Sequence, residues 1–446
     1  MTPGQGRPTH VAVIGAGAAG ALQAIHLRRA GVPRVTLIER ALRPGRGVAY
    51  GTRRPEHLLN VPARRMSAYS DDPAHFIRWL EARIGGTGAE AFAPRVTFGD
   101  YLSGELAAAG NGIAVVTGKA VDVSAADGAE LVRLADGRAI AADAVILAPG
   151  NLQPAVPGPI DAGALGAAWI GDPWSEALTR DLDEDAPIVL IGTGLTAVDI
   201  ALTLNALGHR GPILALSRRG LLPRAHGPRE RADGAAEAWP DRSAALLRAV
   251  RRRGDAIGWR SAVQEVRSAA RAIWCDAAPA ERARFLRHLR PWWDVHRHRV
   301  APAIGAAIDR LQAEGRFAAV AGRIVAIEAD PAGAVLRWRR RGSEEVRQVT
   351  AARIVNCTGP ELDLARAGEP LFDALLAAGR ARTDHCRLGL DVDRDSRLLG
   401  RSGAPAEQLF AIGPITRGTF WESIAVPDIR TQAEGIARFL TDNVAA

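Results

Sequence analysis

Two glycine-rich stretches are the residues best suited to chemistry in this sequence, and that chemistry is the holding of phosphate. They are Gly15-Ala16-Gly17-Ala18-Ala19-Gly20 and Gly192-Thr193-Gly194-Leu195-Thr196-Ala197. In each, the first glycine permits a tight turn and the second lets a pyrophosphate approach the backbone. The small third residue, Gly20 or Ala197, lets a helix pack closely on a strand. A helix that starts at such a turn points free N–H groups at the phosphates. The spacing alone is weak, so the flanking elements matter. Residues 10–14, HVAVI, read as a buried strand, and residues 21–30 follow a helical pattern that Gly31 ends. Residues 35–38 form the next strand, which Glu39 closes. In the second unit, residues 187–191 are a strand, a helix runs to Leu207, and residues 213–216 are the following strand.

The two strand ends differ in charge. Glu39, about 20 residues past the first glycines, is placed to accept a hydrogen bond from a ribose 2′-OH, with Arg40 beside it. That permits FAD or NAD and disfavours NADP, and the fingerprint alone does not separate the first two. The second unit ends in Ser217-Arg218-Arg219-Gly220, with no acid. Arg218 or Arg219 would attract a 2′-phosphate there, so NADPH is expected. Two such units in one chain point to a nucleotide-linked flavoprotein, with FAD on one and the hydride donor on the other.

Composition bounds the rest. A chain of 446 residues is long enough for two or three domains. The net charge is +8, but the basic excess is almost all arginine, Lys119 being the only lysine. No basic stripe with interleaved aromatics is present, which argues against nucleic acid. No apolar run is long enough for a membrane span, and no signal segment opens the chain. Cys275, Cys357 and Cys386 lie far apart and never form C-x-x-C. That argues against a disulfide framework, a metal site or a dithiol centre, and fits a reduced, cytoplasmic setting.

Further motifs carry a family likeness. They are Arg43-Pro44-Gly45-Arg46-Gly47-Val48-Ala49-Tyr50-Gly51, His57-Leu58-Leu59-Asn60-Val61-Pro62-Ala63 and Met66-Ser67-Ala68. Asp72-Pro73-Ala74-His75-Phe76, Phe410-Ala411-Ile412-Gly413-Pro414 and Trp421-Glu422 join them. Together with both fingerprints, this run resembles the FAD/NAD(P)-binding protein family, related to flavin-dependent N-hydroxylating monooxygenases. Some members of that family resemble L-aspartate N-monooxygenases. The likeness covers nearly the whole chain and is not specific for substrate. It implies that the loop from His57 to Met66 passes near the flavin ring. It also implies that Gly413 lies at the ribityl–pyrophosphate end, and that the segments ending in Gly150 and Gly359 close the two nucleotide units. The F-x-G-x-x-x-H motif of flavin-containing and Baeyer–Villiger monooxygenases is absent, so their substrate range does not carry over.

These observations predict an α/β fold of two Rossmann-type dinucleotide-binding domains with a helical insertion in the second. The FAD domain is expected at residues 9–165 and 355–446, and the NADPH domain at 166–354. The insertion is expected at about 225–320, with a loop over residues 227–241. The expected reaction is NADPH-dependent oxygenation of a small amine or amino acid through a flavin C4a-hydroperoxide. A reductase or dehydrogenase with another acceptor, and a flavin-binding protein without catalysis, are the alternatives. Asn60, His57 and Arg297 are the catalytic candidates, with Asn60 also a candidate for contact with the cofactor. Arg65, Trp293, Arg297 and Arg299 are candidates for substrate, because a guanidinium can clamp a carboxylate. His226 is a candidate for contact with the NADPH phosphates. The oligomeric state is left open.

Overall fold

The computed structural model describes residues 7–41, 43–86, 88–126, 128–158, 160–227 and 239–442. Most of the expected 227–241 loop lies outside the described residues. Two parallel sheets organise the chain. The first runs, edge to edge, Arg397–Leu399, Pro405–Ala411, Ala144–Leu147, His10–Ile14, Arg34–Glu39, Ile113–Thr117. All its pairings are parallel except at the Arg397–Leu399 edge. Its central strand His10–Ile14 is buried throughout, as expected of an apolar β-branched run covered on both faces. The helix Ala18–Arg29 covers one face and packs against the C-terminal helix Val426–Asp442.

The second sheet runs Val346–Ala351, Gly333–Arg340, Phe317–Asp330, Ile213–Ser217, Ile188–Ile191, Arg353–Asn356, Trp169–Ile170. Its central strands are parallel, and an antiparallel meander extends one edge. The strand Arg353–Asn356 completes this sheet, so the return to the first layer follows it. A small antiparallel sheet of Ala120–Ala126, Ala129–Leu134 and Ala139–Ala142 flanks the first layer.

Between the strands Ile213–Ser217 and Phe317–Asp330 the chain forms helices Ser243–Ile257, Trp259–Asp276, Pro279–His288 and Arg290–Arg297. The next helix, Pro302–Ala313, packs on Leu195–Ala206 and is the ordinary crossover of the parallel sheet. The four helices before it span residues 243–297.

Both fingerprints rest on the same steric device. Gly15 has φ +103° and Gly192 has φ +125°, a region that side chains rarely enter. A Cβ on Gly15 would sit 2.2 Å from the Ala148 carbonyl oxygen, and one on Gly192 would sit 2.2 Å from that of Cys357. A Cβ on Gly20 would meet the Gly15 carbonyl oxygen. Ala197 takes that place in the second unit and is fully buried. Gly194 differs, for a Cβ there meets nothing within 4 Å. Gly192→Ala is therefore expected to lower stability to urea by at least about 2 kcal/mol through backbone strain. Gly194→Ala should leave the unfolding free energy within about 0.5 kcal/mol of the parent. Equal midpoints for the two variants would remove the steric reading.

Candidate functional site

The first fingerprint opens into a cavity of about 1020 Å³. Gly15, Gly17, Glu39 and Arg40 line it, as do Gly47 to Arg54, Pro149 to Leu152, Asp172 to Glu176 and Pro414. The helix Ala18–Arg29 begins at Gly17 with no side chain capping it, so its first N–H groups face the cavity mouth unsatisfied by side chains. Glu39 closes its strand as expected. Its carboxylate accepts from the Ala16 N–H at 2.7 Å and the Ala41 N–H at 3.0 Å, which fixes it at the strand end. Arg40 and Lys119 both pair with Glu369, at 3.0 Å each, along the same wall. Gly17 and Gly47 approach closely, for a Cβ on Gly17 would lie 3.4 Å from the Gly47 Cα. Gly150 lines the cavity with φ +69°. Gly413, with φ +81°, lies beside Ala19, and its N–H donates to the Gln432 side chain.

The strand end of the second fingerprint is polar and basic. The Thr193 and Ser217 hydroxyls lie 2.9 Å apart, and Ser217 Oγ also accepts from the Gly220 N–H. Arg218 is exposed, and Arg219 reaches the Arg287 carbonyl of an inserted helix at 3.4 Å. Gly359, with φ +88°, follows the closing strand of this sheet.

A buried tie joins the layers. His57 lines the large cavity, yet both its ring nitrogens meet chain atoms. Nδ1 lies 2.9 Å from Thr52 Oγ1, and Nε2 lies 2.8 Å from Thr203 Oγ1 on the fingerprint helix Leu195–Ala206. Beside it Arg95 makes two hydrogen bonds, of 2.7 and 3.1 Å, to the buried Asp199 carboxylate of that helix. Arg95 also donates to the Leu58 carbonyl. Burial holds the His57 pKa below its ordinary value, with Arg95 adding to the depression. His57 thus stands as a neutral link between layers. Nothing in its spacing announced this link, because Thr203 lies 146 residues away.

The loop after His57 leads to a dense cationic cluster. The Asn60 carbonyl lies 3.0 Å from His226 Nε2. His226 therefore faces the 57–66 loop, a different surroundings from the phosphate contact expected for it. Burial, with Arg299, Arg65 and Arg297 nearby, pushes its pKa down to about 4. Arg297 is buried and lies 2.7 Å from the buried Glu422 carboxylate. Arg267 spans Glu422 and Asp428, and Arg290 and Arg417 flank Asp294. Asp294 and His298, one helical turn apart in sequence, lie 3.8 Å apart. Arg65 has Gln264 Oε1 at 3.2 Å, and Arg299 lies over the Trp259 ring. Neither has an ion pair among the described residues. Burial and the neighbouring guanidiniums lower both to about 10. Arg417 is lowered to about 10 as well, chiefly by burial. The cluster brings Arg65, Arg297 and Arg299 together as candidates. Trp293 turns to another side, against an apolar cavity among the inserted helices. Arg267, Arg417 and Asp428 had no motif of their own, and an arginine-rich sequence hides such partners.

Residues 12–152 match the model of the FAD-NAD(P)-binding family. No curated protein sequence matches the chain. Among solved structures, the chain is similar to the ornithine N-hydroxylase of Kutzneria sp. 744, at 15% identity and TM-score 0.68, covering 98% of this chain and 99% of that one. That structure is described with reduced FAD, NADP+ and L-ornithine. The L-lysine 6-monooxygenase of Pseudomonas syringae gives 18% identity and TM-score 0.65, with 98% and 99% covered. The thioredoxin reductase of Lactococcus lactis gives 13% identity and TM-score 0.56, with 98% of each chain covered. The fold is that of two-domain FAD/NAD(P) flavoproteins. No helix among the described residues is long and apolar enough to cross a membrane.

The depressed histidine has a measurable consequence. His226 has a folded pKa of about 4 against 6.5 for the free group, so the folded state binds fewer protons between those values. Neutral His226 costs nothing above pH 6.5, and stability is lost as pH falls from 6.5 through 4. His226→Gln should flatten that acid limb in urea titrations followed by tryptophan fluorescence. An unchanged slope between pH 6.5 and 4 would show that His226 is not held neutral by the fold.

Proposed function

We propose that this protein is an NADPH-dependent FAD monooxygenase that oxygenates the nitrogen of a small amino acid, one carrying a second carboxylate. The observation that carries the reading is the half-buried Arg65 and the buried Arg299, two guanidiniums near the Asn60 loop with no ion pair among the described residues. A buried charge without its partner is costly, so a site of this kind is expected to take its counter-charge from a ligand. Two guanidiniums suit two carboxylates, and Arg297, two residues before Arg299, is held by Glu422.

The first cavity fits FAD. Glu39 would hold the ribose, the uncapped N-terminus at Gly17 the pyrophosphate, and the walls from Gly47 to Thr52 and at Pro414 the remainder. The second fingerprint, with Ser217, Arg218 and Arg219, would hold NADPH. Bound flavin supplies the two-electron and oxygen chemistry, and the chain supplies binding, orientation and electrostatics. The overall reaction consumes the amine, O2, NADPH and one proton, and yields the N-hydroxylamine, water and NADP+. An ammonium has no lone pair to be oxygenated. The excess of arginine disfavours the ammonium form, so the cluster that holds the carboxylates also keeps the amine reactive. The paired dinucleotide sites alone would serve a reductase equally well. The arginine cluster favours the oxygenase reading, and among the described residues Cys275, Cys357 and Cys386 are free thiols.

Purified FAD-loaded protein should consume NADPH and O2 together when given an amino acid with two carboxylates, with a hydroxylamine detected by mass spectrometry. No stimulation by any member of an amine and amino-acid panel would reject the proposal. Arg299→Met should raise the KM for that substrate at least tenfold while FAD content stays the same, as expected for roughly 1.5–3 kcal/mol of a charge-assisted contact. Arg218→Ala should raise the apparent constant for NADPH roughly ten- to hundredfold and leave that for NADH nearly unchanged, from the same range of contact energies. Equal effects on the two nucleotides would count against a 2′-phosphate contact.

A further inference from the structure

The cavity that would hold FAD is walled from both layers. Beside the first fingerprint and the segment from Gly47 to Arg54, its lining includes Asp172 to Glu176, Ile200 and Thr203. Ile200 and Thr203 lie on the fingerprint helix of the second unit, and residues 172–176 follow its short strand Trp169–Ile170. Trp174 stands in this wall. It is the only tryptophan among the described residues that line the cavity, and it is 38% exposed. Folding ordinarily buries most of an indole. A large apolar ring left open on a concave wall marks a place for a ligand.

The indole is held by its own turn and by a fixed neighbour. The Trp174 N–H donates to Asp172 Oδ1 at 3.0 Å, and the Ser175 N–H donates to the Asp172 carbonyl at 3.1 Å. This is an Asx turn, and Pro173 stiffens it. The indole meets the His57 ring at 5.8 Å between centroids and 78° between planes. A perpendicular contact takes at most one face of the indole. His57 is itself fixed, because its two ring nitrogens lie 2.9 Å and 2.8 Å from the Thr52 and Thr203 hydroxyls. The wall is thus rigid before any ligand enters.

The fingerprint constrains which part of FAD reaches Trp174. The adenosine ribose and the pyrophosphate belong at Glu39 and at the uncapped helix start at Gly17. Trp174 is joined through His57 to Thr52, in the wall left to the rest of the cofactor. That rest ends in the isoalloxazine, a planar heterocycle suited to an aromatic face. We propose that Trp174 is a contact residue for the flavin, its indole packing against the isoalloxazine where the two layers meet. The inference rests on FAD occupying the first cavity. It is independent of the substrate and of the oxygenase reading.

The test uses the full-length, FAD-loaded protein with the variants Trp174→Phe and Trp174→Ala. A photoexcited flavin takes one electron from an indole in contact with it within picoseconds, and the indole radical cation left behind absorbs in the visible. The parent should show that band in transient absorption, and Trp174→Phe should lose it. The band is the readout rather than the quenching of flavin emission, because Tyr50 also lines the cavity and phenols quench flavins too. Trp174→Ala should weaken FAD at least about fivefold, the loss expected when a heterocycle loses its stacking partner, and Trp174→Phe should weaken it less. Trp174→Ala should leave the affinity for ADP unchanged, read from its displacement of FAD, because ADP has the adenosine and pyrophosphate but no isoalloxazine. Equal weakening of FAD and ADP would assign the indole to the adenine or to the fold at large, and overturns the contact. So does a band that survives in Trp174→Phe, or its absence from a parent that holds FAD. A parent that binds no FAD fails earlier, removing the cofactor reading and this contact together.

Discussion

The contact on which both halves of this protein depend is between a glycine and a carbonyl. Where the first strand of each unit turns into its helix, the chain passes so close to the returning strand that no side chain fits. Gly15 lies against the Ala148 carbonyl, and Gly192 against that of Cys357. The close passage brings the helix start to the carboxyl ends of the strands, where strand order reverses and ligands bind in open α/β sheets. The position of Glu39 follows from the same turn, since its carboxylate grips the Ala16 N–H inside the fingerprint. One steric constraint thus sets the backbone donors, the acid at the strand end and the cavity between them.

The second unit repeats the turn but changes what surrounds it. Its fingerprint helix is apolar over most of its surface yet buries Asp199 and Thr203. Those two residues receive Arg95 and His57 from the first layer. A buried carboxylate is tolerated because a guanidinium meets it with two parallel bonds. Polar ties of this kind fix one relative placement of the layers, where apolar contact alone would allow sliding. The 57–66 loop hangs from this tie, so the geometry of the arginine cluster is set partly by residues that do not belong to it.

Much of the fold was legible because its signals are local. Strand, glycine turn, helix and strand end follow one another within about 30 residues, and the observed bounds of those elements differ from the expected ones by a few residues. The candidate site was less legible because its partners are distant in sequence. Nothing local to His57 announces Thr203, and nothing local to Arg297 announces Glu422. Trp293 and Arg297 share a turn of helix and were read as one cluster, but Trp293 lines the cavity among the inserted helices while Arg297 is buried against Glu422. Spacing gives the faces of a helix, and only packing says what each face meets.

The arginine cluster gives the clearest example of composition hiding a site. In a chain whose basic residues are almost all arginine, any one arginine is most economically read as a solvated surface charge. Burial changes that reading. Arg297, Arg299 and Arg417 are each under a tenth exposed, and the first has a carboxylate within 3 Å while the second has none. Lowering a guanidinium to about 10 requires both desolvation and like charge close by, and the fold maintains both at Arg65 and Arg299. A fold gains nothing in stability from gathering uncompensated cations in its interior. The same field that makes the cluster unstable by itself favours an anion and disfavours an ammonium beside it. In the proposed reading, binding a carboxylate and holding an amine neutral are then two consequences of one charge arrangement.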